Sequence, residues 1–166
     1  MSLAQRMRED ESAAPIDMLA ALFQAHGWAC EVGRDELNGE VQGSWVKYQV
    51  KAIWRAEDNV LQILCLPDIH VSKPQVAACC ELLSLINEQT WLGHFEMWSN
   101  GGILLYRNAN LLTEEGLLGP AQAQMLIETA VQEWDRFYPA FQFVLWGGKP
   151  PVEALAAAMV DAAGEA

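Results

Sequence analysis

The nearest thing to a reactive constellation in the chain is His94 and Glu96, two residues apart, with Arg107 on the far side of Asn100-Gly101-Gly102. That tripeptide has the turn chemistry that positive φ requires, so His94 to Ser99 and Ile103 to Asn108 read as the two arms of a hairpin. In either plausible register even positions of one arm meet odd positions of the other. His94, Glu96 and Arg107 then share one face, and Phe95, Met97, Leu104 and Tyr106 take the opposite one. An acid, a base and a cation so placed could hold a ligand or work as an acid/base pair, or simply form a cross-strand charge network. No serine or cysteine falls close enough in pattern to His94 to act as a nucleophile.

A second group is basic. Trp45 to Arg55 alternates, with Val46, Tyr48, Val50, Ala52 and Trp54 on one side and Lys47, Lys51 and Arg55 on the other. Three of only 10 basic residues gather there in a chain with 22 acidic ones and a formal charge of -12. They form either a solvated strand face or a receptor for an acidic partner segment, and Trp45, placed on the same face, would widen an interaction surface. The overall charge repels phosphate backbones and anionic membrane surfaces, so no nucleic-acid or membrane partner is expected.

Cys65, His70, Cys79 and Cys80 are acceptable zinc ligands by type, but adjacent residues on a helix point about 100° apart and do not converge on one ion. With Cys30, these cysteines match no disulfide framework, so reduced packed thiols are expected, with no metal and no cofactor.

The elements that carry these residues are legible in outline. With 166 residues the chain has the length of one domain. Residues 1–14 form a polar tail with no apolar core, unlike a signal peptide. No apolar run approaches the roughly 18 residues of a membrane span, which predicts a soluble, cytoplasmic protein. A first helix runs from Pro15 to Gly27, and runs punctuated by Gly33, Gly39 and Gly43 predict an antiparallel meander that includes Val60 to Leu66. Ser72 and Gln75 have capping-box spacing, and a staple between Val71 and Val76 would help start a second helix that runs to about Gln89. Asn87 falls on its apolar side, where a buried amide bonds to backbone. A long helix begins at Pro120 and is interrupted at Pro139. Phe141 to Trp146 suits a short helix better than a strand. After Lys149-Pro150-Pro151 a terminal helix docks through Leu155 and Met159. The organisation is a domain over 15–148 with a helical extension of that domain over 149–166, in the α+β class: a twisted antiparallel sheet flanked by helices.

On the second helix, Val76, Cys80, Leu83 and Ile86 share a face suited to the sheet, while Ala78, Leu82 and Leu85 form a second apolar stripe. Two stripes need two partners. The second is the terminal helix or the same stripe of another subunit, and a two-fold axis favours the subunit.

Ile86-Asn87, Trp91-Leu92-Gly93-His94-Phe95, Tyr106-Arg107 and Phe137-Tyr138-Pro139-Ala140-Phe141 together resemble the YbjN family, labelled bacterial sensory transduction regulators. The close, from Trp146-Gly147-Gly148-Lys149 through Glu153-Ala154 to Gly164-Glu165-Ala166, is similar to the α-proteobacterial branch. The resemblance implies a fold like that of type III secretion chaperones, with a helix on each side of the sheet and a tendency to dimerise. It brings no reaction, cofactor or catalytic residue. The expectation is a non-catalytic cytoplasmic binding protein, regulatory or chaperone-like, that holds a protein partner on a sheet or hairpin surface as a homodimer. The alternative is an enzyme centred on His94, Glu96 and Arg107.

Overall fold

The computed structural model describes residues 12–164. Most of the expected polar tail, residues 1–11, lies outside the described residues. Ala13, counted in that tail, is built into the domain by paired backbone bonds with Leu118.

Six strands form one antiparallel sheet: β1 (Cys30–Val32), β2 (Glu36–Gln42), β3 (Lys47–Arg55), β4 (Val60–Leu66), β5 (His94–Trp98) and β6 (Ile103–Leu111), in the order β1-β2-β3-β4-β6-β5. The meander and hairpin are therefore as the glycine punctuation predicts. Among the described residues four helices accompany the sheet: α1 (Pro15–His26), α2 (Val76–Asn87), α3 (Pro120–Leu145) and α4 (Pro151–Gly164). Pro15 occupies the first turn of α1, and Gly27 ends it at φ 68°, a conformation that costs glycine little.

The helices gather on one face of the sheet. Leu37, Val41, Tyr48, Val50, Ala52, Leu61, Ile63, Cys65, Leu104, Tyr106 and Phe95 point to that face and are buried against them. Trp134 of α3 reaches furthest in. It is fully buried, donates Nε1–H to the Cys65 carbonyl at 2.8 Å, and packs against Tyr48, Phe95 and Phe141. Phe23 of α1 lies where a side chain on residue 39 would be, 2.5 Å from a notional Cβ, so β2 carries Gly39 there. Where the resemblance implies a helix on each side of the sheet, the helices among the described residues lie on one face.

Pro139 does not interrupt the long helix. α3 continues to Leu145, and Phe141–Leu145 forms its last turns. A proline removes the N–H that would bond the carbonyl four residues back, here that of Asp135. The indole N–H of Trp45 donates to this carbonyl at 3.0 Å. The same residue's carboxylate accepts from Ser44 N at 3.0 Å, Ser44 Oγ at 3.1 Å and Tyr48 Oη at 2.8 Å. Burial first, and then the Asp135 carboxylate, raises the Tyr48 hydroxyl above the ordinary phenol range. A remote donor therefore satisfies what the proline orphans, and the helix stays whole.

The capping box also takes another form. A 3-10 turn (Lys73–Gln75) precedes α2, and Ser72 Oγ donates to Gln75 Oε1 at 2.9 Å while capping no backbone N–H. Gln75 Nε2 in turn donates to the Leu145 carbonyl, which ties the start of α2 to the end of α3.

The faces of α2 differ from the expectation as well. Cys79, Leu82, Leu83 and Ile86 are buried, whereas Cys80 is exposed. α4 packs along α2 and α3 through Ala154, Leu155 and Ala158, with Met159 partly buried against the same core. The terminal helix docks as predicted, and in doing so it covers the second stripe. Leu82 is 0% exposed and Ala78 and Leu85 are half-buried against the core, so Leu82 belongs to the interior of one chain and is not a subunit contact. A carboxylate at that position has no partner to receive it. Leu82→Asp is expected to cost about 3 kcal/mol or more of folding stability, visible as a lowered urea midpoint. A variant of unchanged stability that merely halves in mass would restore Leu82 to an interface.

Candidate binding surface

The face of the sheet turned away from the helices collects six of the seven residues that the sequence singles out for partner binding, all but Trp45. Strand alternation and register place His94, Glu96 and Trp98 of β5, Leu105, Arg107 and Leu111 of β6, Leu64 and Leu66 of β4, and Lys47, Lys51, Ile53 and Arg55 of β3 together on it. Leu64 and Leu105 are buried on this face, outside the main core, and Leu64 stands opposite Lys51 on one side and Arg107 on the other. Long basic side chains cover apolar neighbours with their stems while the charged heads reach water. Leu111 and Trp98 on the same face are exposed.

Glu96 organises the β5–β6 end. Its Oε1 accepts from Arg107 Nε at 2.7 Å, from the Arg107 terminal nitrogen and from Trp98 Nε1 at 3.0 Å, and its Oε2 lies 3.2 Å from His94 Nε2. Partial burial pushes this carboxyl up, but the bonds from Arg107, Trp98 and His94 outweigh it and hold it below the usual carboxylate range. The three polar residues do share a face, as the hairpin predicts. A carboxylate engaged on both oxygens and held ionised is the centre of a cross-strand network.

The basic strip is likewise paired. Lys47 lies 3.6 Å from Glu40, Lys51 3.6 Å from Glu36, and Arg55 2.9 Å from Asp58 and 3.7 Å from Glu57. Exposed pairs of this kind add little to stability, but they leave the strip nearly neutral. Trp45 is not part of it. Its indole lies against α3 at Asp135, because the β2–β3 turn folds towards the helices.

The cysteines diverge as helix geometry predicts. Cys65 and Cys79 are buried, and burial raises both thiols, that of Cys79 to about 12, whereas Cys80 faces outward. Asn87 was singled out only as a buried amide, and its role is more specific: it accepts from Phe95 N at 2.8 Å and donates to Phe95 O at 2.9 Å. It thereby closes the outer edge of β5 at that residue, as a neighbouring strand would.

Because the folded-state pKa of Glu96 is depressed, its contribution to stability is present above about pH 4.5 and is lost as the pH falls through the folded value. Glu96→Gln is therefore expected to lower stability at pH 7 and to flatten the acid limb below about pH 4.5. Urea titrations at stepped pH would show it. An acid limb as steep as that of the wild type would contradict the network.

Comparison with known proteins agrees with this architecture. A family model described as "Putative bacterial sensory transduction regulator" matches residues 15–143. Among solved structures, the chain is similar to the crystal structure of YbjN, a putative transcription regulator from E. coli. The TM-score is 0.52 and the identity 14%, with 72% of this chain and 84% of that one covered. At that identity the likeness establishes the fold alone. A search of curated proteins returned no match. The family model spans α1, α2, all six strands and most of α3, and the chain belongs to the YbjN family.

Proposed function

We propose that this is a non-catalytic regulatory protein of the cytoplasm that acts by holding a protein partner on the open face of its sheet, as a homodimer. The observation that carries the reading is that face itself. Leu64 and Leu105 form an apolar floor, Ile53 and Leu66 are half-buried, and Leu111 is 80% exposed, while the basic residues around them already have carboxylate partners. In a chain of formal charge -12, a locally neutral, partly apolar surface is the one on which another protein meets least repulsion. The family's description as a regulator supports a protein that works through contacts. No helix among the described residues is long and apolar enough to cross a membrane.

The same reading has two copies of the chain associating, and with Leu82 internal they must meet through a surface other than the α2 stripe. The enzyme alternative has less support, because the residues that would form its centre neutralise one another.

Affinity capture with the wild type, with Leu66→Asp and Leu111→Asp, and with Met125→Asp on the exposed side of α3 tests the site. One protein is expected to be retained by the wild type and the Met125 variant and to be reduced about tenfold or more by the two sheet variants. Equal retention by all, or turnover in a hydrolase screen with no retained protein, would contradict it. Light scattering at micromolar concentration should give twice 18.4 kDa, and 18.4 kDa would remove the dimer.

A further inference from the structure

A second surface lies at the other side of β5. A cavity of about 460 Å³ separates the tip of the β5–β6 hairpin from the start of α2, lined by Val71, Lys73, Val76, Met97 and Trp98 and floored by the turn glycines. Three observations describe what would fill it. First, it lies along an unfinished sheet edge. In an antiparallel strand the backbone groups of alternate residues point the same way. Phe95 directs its N–H and carbonyl outward, to Asn87, so Met97 two residues on directs its own pair outward as well, beyond the reach of Asn87 and towards the cavity. Secondly, the walls are largely apolar, with Val71, Val76 and Met97 converging from three segments. Thirdly, the one ionisable side chain in the lining is Lys73, which is exposed and has no ion-pair partner among the described residues, unlike Lys47, Lys51, Arg55 and Arg107.

We infer that this cavity receives an extended acidic peptide segment of a partner protein. The segment adds to the edge of β5 at Met97, seats an apolar side chain between Val71 and Val76, and directs an adjacent carboxylate to Lys73. Main-chain bonds supply the affinity, the apolar walls select one side chain, and Lys73 selects charge. In a chain with more than twice as many acids as bases, an unpaired lysine at an open strand edge attracts an acidic segment that most of the surface repels. Asn87 sets where the added strand must end, since beyond Met97 it meets a bond pair already occupied.

The inference shares the protein-binding reading but uses a different surface, and the two fail separately. The probe is the peptide Ac-Val-Glu-Leu-Glu-Val-NH2, followed by amide shifts of isotope-labelled full-length protein, with a Lys-for-Glu version and a backbone N-methylated version as controls. Saturable shifts at Met97, Ser99, Val76 and Gly101 are expected. Binding should weaken about tenfold with either control and with Lys73→Glu, an exposed substitution that leaves the fold intact. No shift at millimolar peptide, equal binding of the Lys version, or shifts at Gln49 and Gln62 on the open face would overturn the inference. So would concentration-dependent shifts of the same cavity amides without peptide, which would mean that a second copy of the chain fills the site. Loss of peptide binding with capture through Leu66 and Leu111 retained would remove only this inference.

Discussion

One junction, between a backbone carbonyl of α3 and the β2–β3 turn, joins the longest helix to the meander. Pro139 sits inside a helix of 26 residues and withholds an N–H from Asp135, yet the helix must stay continuous for Trp134 on one side of that residue and Phe137 and Phe141 on the other to reach the sheet together. Trp45, at the β2–β3 turn, supplies the missing donor. The Asp135 carboxylate then fixes the same turn through Ser44 and Tyr48. One residue of α3 thus holds the hairpin of β2 and β3 by side chain and main chain at once. Gly43 is there because a Cβ would stand 2.7 Å from Asp135 Oδ1 and against the Tyr48 ring.

That junction has a consequence for the opposite face. With α3 laid across the strands and α4 closing over α2 and α3, the apolar demand of all four helices is met on one side. Among the described residues, the other side carries side chains that neutralise one another in pairs, Glu96 with Arg107 and the β3 bases with acids of β2 and of the turn that follows β3. Pairing within the face leaves its charges largely compensated, which lowers the cost of removing water from them.

Local rules were enough for the hairpin, the face that His94, Glu96 and Arg107 share, both ends of α1 and the divergence of Cys79 and Cys80. Each depends on residues within one or two turns of each other. They failed where a distant group changed the local balance. Pro139 reads as a break until a donor 90 positions away in sequence meets Asp135, and Trp45 reads as a face residue of β3 until the turn carries it to α3. Leu82 reads as a surface stripe because a helical wheel shows two apolar sides without showing which neighbour takes each. The Asn87 amide, half-buried in the structure, could be recognised as one that bonds backbone, but its use as a strand surrogate requires knowing that β5 is an edge. The acid partners of Lys47 and Lys51 depend on the β2–β3 register, which the glycine-rich meander leaves open.

A double-mutant cycle on Trp45 and Pro139 tests the central constraint most directly. Trp45→Phe keeps the ring and removes the indole donor, so the Asp135 carbonyl loses its partner, at a cost of about 1 kcal/mol in urea unfolding. In a Pro139→Ala background the helix supplies its own N–H, and the same substitution should cost almost nothing. Equal costs in both backgrounds would show that Trp45 is not what keeps α3 whole.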